Sequence, residues 1–161
     1  MKPWVKRPIE HRTLLNPAFL SVIVAEAASG YRAETDRPLP FALAFLAVPI
    51  VLHEPTREAL PTIATSMYAW LDREPQARVY IPPLARQFVP HTREAVRFGV
   101  RRGALEFAAG GALTALTLNT PERNTQTTDL RRCRTRARFT GRWLARAGDP
   151  GTILASWGLS I

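Results

Sequence analysis

The residue pattern predicts a mainly helical α+β domain with a winged-helix-like helix–helix–hairpin unit and a long basic helix behind it. Three observations carry this. Successive apolar segments are bounded by helix start and stop signals. A Gly110-Gly111 pair separates two short apolar arms and follows two helical stretches. Residues 129–147 are rich in arginine yet keep their apolar side chains on one face. A chain of 161 residues that is 46% hydrophobic has the material for one buried core. The expected organisation is a basic N-terminal arm over 1–13 and a single domain over 14–161. The winged-helix-like core would span about 56–118 and the basic helix about 129–147.

Asn16 is a good N-cap and Pro17 suits the first helical position, where no amide partner is needed, so a helix is expected over 17–29 with Gly30 as its stop. Arg32–Pro38 reads as a charged loop. Pro40 opens a second, nearly all-apolar helix to about Ile50, which Pro49 should kink or end near Val48. Two adjacent helices this apolar must be covered, by the rest of the domain or by a partner.

Thr56-Arg57-Glu58 reads as a helix start or a tight turn. Thr62–Leu71 is expected as a helix with Ile63, Met67, Trp70 and Leu71 on one face, closed by Pro75. Arg78–Ile81 reads as a short extended piece. Pro82 and Pro83 introduce a short helix to Phe88, and Pro90–Arg102 is the next, ended by Gly103 with Thr92 as a possible cap.

Gly-Gly between Ala104–Ala109 and Ala112–Leu118 is a two-residue hairpin signal. Leu105 and Phe107 alternate cleanly on the first arm; Leu116 and Leu118 are in step on the second, and Leu113 is not. Residues 119–128 read as a polar loop. Asp129 or Thr128 can cap the basic helix, and a short final helix carries Ile153, Leu154 and Trp157.

In the winged-helix arrangement the second helix can enter the major groove. Here that helix carries Arg93, Arg97 and Arg101, four apart and so on one face, together with Arg102. Such a face suits phosphates or base edges, although winged-helix scaffolds also serve as protein-binding modules. The wing tip, Ala108–Ala112, has no positive charge.

On the 129–147 helix, Leu130, Cys133, Ala137, Thr140, Leu144 and Ala147 fall within an arc of about 100°. Arg131, Arg134, Arg138, Arg142 and Arg146 lie opposite. Seven arginines and no acid stand between Leu130 and Ala147. Like charges four apart repel by a few tenths of a kcal/mol per pair. Solution anions, carboxylates elsewhere in the domain, or a polyanionic or acidic partner must offset this. Phe139 and Trp143 form a second apolar strip beside Arg132 and Arg136, either core or a partner-binding anchor.

The net charge is +9, and every basic residue except Lys2 and Lys6 is an arginine. Arginine pairs with phosphate and carboxylate through a rigid fork. Residues 1–15 are charged throughout, so no secretory leader is expected. The longest apolar run, Leu39–Leu52, is too short to span a bilayer. A cytoplasmic protein with a reduced, buried Cys133 fits these features. His11, His53 and His91 lack metal-ligand spacing, and no HExxH, CxxC, P-loop, GxGxxG or GxSxG pattern occurs. No catalytic centre and no cofactor are expected.

Several short pieces occur in order: Asn16-Pro17-Ala18-Phe19, Leu39-Pro40-Phe41, His53 with Thr56-Arg57-Glu58-Ala59-Leu60-Pro61, and Pro90 with Thr92-Arg93-Glu94-Ala95. They continue through Gly110-Gly111, Arg136-Ala137-Arg138-Phe139, Gly141-Arg142-Trp143 and Trp157-Gly158. In this order the chain resembles the middle component of bacterial three-component ABC systems, from about Asn16 to Gly158. It departs from the family pattern at Arg136, where lysine is expected, and at Thr140, where a larger apolar residue is expected. The resemblance implies a non-catalytic accessory protein. Its partners would be an ABC-type ATPase of the SMC-like kind and an effector, in many cases a nuclease, encoded nearby in a defence system. DNA contact would come inside the complex. From the residues alone, a free-standing winged-helix-type nucleic-acid-binding regulator stays open.

Overall fold

The computed structural model describes residues 15–116 and 127–159. The expected arm over 1–13 and most of the 119–128 loop lie outside them. Each helix boundary has a local cause. Helix α1, Pro17–Thr35, begins where the Asn16 side chain accepts the Ala18 amide at 2.9 Å. It does not stop at Gly30. It ends at Asp36, whose left-handed backbone (φ 55°) turns the chain, so Arg32–Thr35 is helix and not loop.

Gly30 lies inside α1 because the helix needs a missing side chain there. A Cβ on Gly30 would overlap the backbone carbonyl of Arg138, and a Cβ on Gly141 would overlap that of Ala27. The two glycines let α1 and helix α6 (Thr128–Ala145) cross backbone against backbone, the most extensive helix contact among the described residues.

Helix α2 is Phe41–Leu52 and runs through Pro49, past its expected end. Proline removes one amide donor, which frees the carbonyl four residues back, but its fixed φ is helical. Leu43, Leu46, Val48, Ile50 and Val51 are fully buried, and α2 packs on α1, α6 and helix α5 (Pro75–Arg101). The domain itself thus covers nearly all of this apolar helix; Phe41, Ala42 and Phe45 are covered only in part.

Helix α3, Glu54–Ala59, follows at once, capped by His53, whose Nδ1 lies 2.7 Å from Thr56 Oγ1. The helix expected over 62–71 is shorter: α4 is Met67–Arg73, capped by Ser66. Pro75 does not close it but opens α5, Pro75–Arg101, a single helix of 27 residues.

This is the largest correction to the expected pattern. The extended piece at 78–81, the short helix to Phe88 and the helix from Pro90 are one rod. Pro82, Pro83 and Pro90 sit inside it. The carbonyls deprived of donors belong to Arg78, Val79 and Arg86, all exposed residues, where water can serve instead. The turn between two helices is absent, so one helix leads into the hairpin.

The hairpin pairs β1 (Leu105–Phe107) with β2 (Leu113–Ala115) antiparallel, with Leu105 opposite Ala115 and Phe107 opposite Leu113. The loop is five residues, with a 3-10 turn at Ala109–Gly111 and positive φ at Gly110 and Gly111, in place of the two-residue turn. Leu113, out of step in the expected register, is fully buried and also exchanges both backbone hydrogen bonds with Leu39, at 2.8 and 2.9 Å.

Helix α6 is capped by Thr127 and ends at Ala145. Its expected apolar stripe is present: Cys133, Ala137, Thr140 and Leu144 are buried, while Leu130 and Ala147 at its ends are partly exposed. Thr140, where a larger apolar residue was expected, donates its hydroxyl to the Arg136 carbonyl at 2.8 Å, so burial leaves no orphan. Helix α7, Pro150–Ser156, capped by Asp149, places Trp157 in the core.

Candidate functional site

The basic face of α6 meets carboxylates of its own chain. Arg134 donates through Nε and Nη2 to Glu26 Oε1 at 2.9 and 2.6 Å, and Arg138 lies 3.6 Å from Glu26 Oε2. Arg142 donates through Nε to Glu34 Oε1 at 2.8 Å with its Nη2 2.7 Å from the same oxygen, and Arg146 Nε donates to Glu34 Oε2 at 3.0 Å. The four arginines recur every fourth residue on α6, and the two acids stand eight apart on α1, so two carboxylates serve four guanidinium groups. Glu26 is only 7% exposed. The arginines beside it hold Glu34's carboxyl below its ordinary value: hydrogen bonds from Arg142 and then Arg146 lead, and partial desolvation opposes them.

This pairing offsets part of the like-charge repulsion along α6. Arg131 makes no ion pair among the described residues. With Arg134, Arg138, Arg142, Thr135 and Phe139 it lines a groove of about 660 Å³ over Glu26. That lining holds four guanidinium groups and one carboxylate, so the groove remains electropositive.

The aromatic pair divides. Trp143 is sealed in the core at 1% exposure, where its indole donates to the Thr65 carbonyl at 2.8 Å and its ring meets Trp70 edge-on at 5.3 Å. It is not available at the surface as a partner anchor. Phe139, partly buried, stacks on Trp143 at 5.9 Å and lies under the Arg136 guanidinium, also at 5.9 Å. Core packing draws Trp143 inward because its indole finds an acceptor there.

The arginines of α5 behave differently. Arg93, Arg97 and Arg101 are exposed on one face, and none is paired with a carboxylate among the described residues. Arg86 extends the row by two turns and donates to the Gly158 carbonyl at 3.2 Å.

Sequence reasoning missed three residues that organise these faces. Glu26 lies on a helix read only for its apolar content, and Glu34 in a stretch read as a charged loop. Arg57 is buried at 4% exposure and bonds the Val51 carbonyl at 3.1 Å, Asp129 at 3.1 Å and Cys133 Sγ at 3.2 Å. It joins the α2–α3 corner to α6. Burial pushes the Cys133 thiol above its ordinary value, and the Arg57 charge opposes that shift. Arg57 is the only Lys or Arg between Arg37 and Arg73, and that isolation was the available signal.

Among the described residues, no cluster of three or more His, Cys, Asp or Glu side chains is placed to hold a metal, and no helix is long and apolar enough to cross a membrane. Fold and faces together define a mainly helical protein that closes its core around one crossed helix pair and presents arginine and aromatic surfaces outward. The chain belongs to the ABC-three component (ABC-3C) system Middle Component 3 family, whose model matches residues 4–161. Family membership makes it a partner of the other components of such a system. No curated protein and no solved structure gives a match.

Proposed function

We propose that this protein is the non-catalytic adaptor of its ABC-3C system, a cytoplasmic subunit that couples an SMC-like ABC ATPase to an effector in bacterial defence. The carrying observation is the outward face of α5 and the hairpin. Val79, Tyr80 and Phe107 are 60%, 50% and 53% exposed, and Arg93, Arg97 and Arg101, which have no carboxylate partner among the described residues, stand on the same helix as Val79 and Tyr80. Exposed aromatics beside arginines are the side chains that interface hot spots favour. The test is co-expression with the ATPase and effector encoded alongside. A complex that persists through size-exclusion chromatography at micromolar concentration and low salt supports the adaptor; three separate elution peaks refute it.

A second reading, contact with nucleic acid inside that complex, draws on the same arginine row and on the electropositive groove at Arg131 and Arg138. It predicts duplex affinity that falls steeply with salt. Changing Arg93, Arg97 and Arg101 together to Ala should weaken binding equally for all sequences, because phosphate contacts do not discriminate. Unchanged affinity in that triple variant removes the α5 face from the assignment.

A further inference from the structure

We infer that the groove between α2, α5 and α7 is the docking site for an acidic amphipathic helix of a partner protein. This rests on the adaptor reading and names the surface and the chemistry it would use.

The groove measures about 360 Å³ and is walled by Phe41, Phe45, Val89 and Leu159, with Arg86 and Arg93 on its rim. Its α2 wall is the N-terminal part of that helix, which the domain leaves incompletely covered. From Leu46 to Val51 that helix is buried throughout, while Phe41, Ala42 and Phe45 in its first turns are not. Phe41 meets Phe45 edge-on at 5.0 Å and Phe107 edge-on at 5.8 Å, so an aromatic ridge runs from α2 to the half-exposed hairpin residue.

Charge complementarity selects the occupant. Among the described residues no Asp or Glu lines the groove, and Arg86, Arg93 and, one turn on, Arg97 stand along one edge. Arg93 and Arg97 have no carboxylate partner among the described residues, unlike the α6 arginines, which have Glu26 and Glu34. An amphipathic helix with apolar anchors at i, i+3 or i+4, and i+7 would fill the cleft. Carboxylates on its flank would satisfy the arginine row by charge-assisted hydrogen bonds. A nucleic-acid strand fits less well: its phosphates gain nothing from walls of Phe, Val and Leu, and the Phe41 ring is already engaged by two neighbouring rings.

The test uses the full-length protein co-expressed with its ATPase and effector. Phe45 is replaced by the photoreactive p-benzoylphenylalanine, and the adduct is mapped by mass spectrometry. An adduct to a partner segment with apolar residues at helical spacing and adjacent Asp or Glu supports the site. An adduct only to a second copy of this chain, to nucleic acid, or to a segment without carboxylates overturns it.

Affinity supplies the second arm. Arg86→Glu with Arg93→Glu should lower affinity for the cross-linked partner by at least about tenfold. Arg93→Glu alone, at an exposed position with no ion pair among the described residues, should lower it in the same direction while leaving the melting temperature unchanged. Affinity within twofold of wild type in both variants overturns the proposal. If wild type forms no complex at all, the adaptor reading falls and takes the groove with it. If the complex forms and the variants bind normally, only the groove assignment falls.

Discussion

Replacing Glu26 by glutamine tests whether α6 is stabilised from within. The carboxylate accepts two hydrogen bonds from Arg134, at 2.9 and 2.6 Å, and attracts Arg138 at 3.6 Å. Side-chain exposure is 10% for Glu26 and 22% for Arg134, so the pair is largely withdrawn from water. An exposed pair contributes about 0–1 kcal/mol. Removing one partner of a fully buried pair costs about 3–5 kcal/mol, because the other charge is left uncompensated. With Arg134 partly hydrated, Glu26→Gln should cost about 2–3 kcal/mol. For a chain of this size that lowers the melting temperature by about 5–10 °C, and urea denaturation should show a midpoint shift of about 1 M. Adding Arg134→Met removes the stranded charge and should restore at least about 1 kcal/mol relative to the single variant. A loss below about 0.5 kcal/mol for Glu26→Gln, or no recovery in the double variant, would refute the view that α1 carboxylates hold the α6 arginines.

Gly30→Ala and Gly141→Ala each force a methyl group into a backbone carbonyl that cannot rotate away; each should cost about 3 kcal/mol in chemical denaturation, toward the upper end for overpacking. Glu34 has its pKa lowered by Arg142 and Arg146, so its contribution is complete above the unfolded carboxylate value and is lost as pH falls through the folded one. The acid-side decline in stability should therefore be shallower in Glu34→Gln than in wild type, measured by urea midpoints across the acid limb. Cys133 is buried with its thiol raised, so Ellman's reagent at neutral pH should modify it at least about 100-fold more slowly than the unfolded chain. Arg57→Ala removes the guanidinium that joins Val51, Asp129 and Cys133 and should cost about 3 kcal/mol, read as a lower melting temperature.

The family pieces acquire physical reasons in the structure. In Gly141-Arg142-Trp143, the glycine permits the α1–α6 crossing, the arginine bonds Glu34, and the tryptophan fills the core with its indole on Thr65. In the piece that begins at His53, the histidine caps α3 through Thr56 while Arg57 reaches α6. Apart from the local His53–Thr56 cap, these contacts join residues roughly 70 to 110 positions apart, as the Arg57–Asp129 and Arg134–Glu26 bonds do. No local pattern encodes them.

Local chemistry determined the rest on its own. Asn16-Pro17 starts α1 because a side-chain oxygen and a donor-free ring satisfy the first turn without help from elsewhere. The buried stripe of α6 follows from its 3.6-residue period, and a hairpin follows from Gly110-Gly111, which alone accept positive φ there. Tertiary structure decided where local preference gave way. Pro49, Pro82, Pro83 and Pro90 read as breaks, yet packing of α2 and α5 against their neighbours keeps each helix continuous and leaves the freed α5 carbonyls to water. Gly30 reads as a stop and is instead a point of closest approach. Arg134, Arg138, Arg142 and Arg146 look like Arg93, Arg97 and Arg101 in sequence; only folding brings Glu26 and Glu34 to the first set and leaves the second exposed, because charge pairing depends on distance in space and not on spacing along the chain.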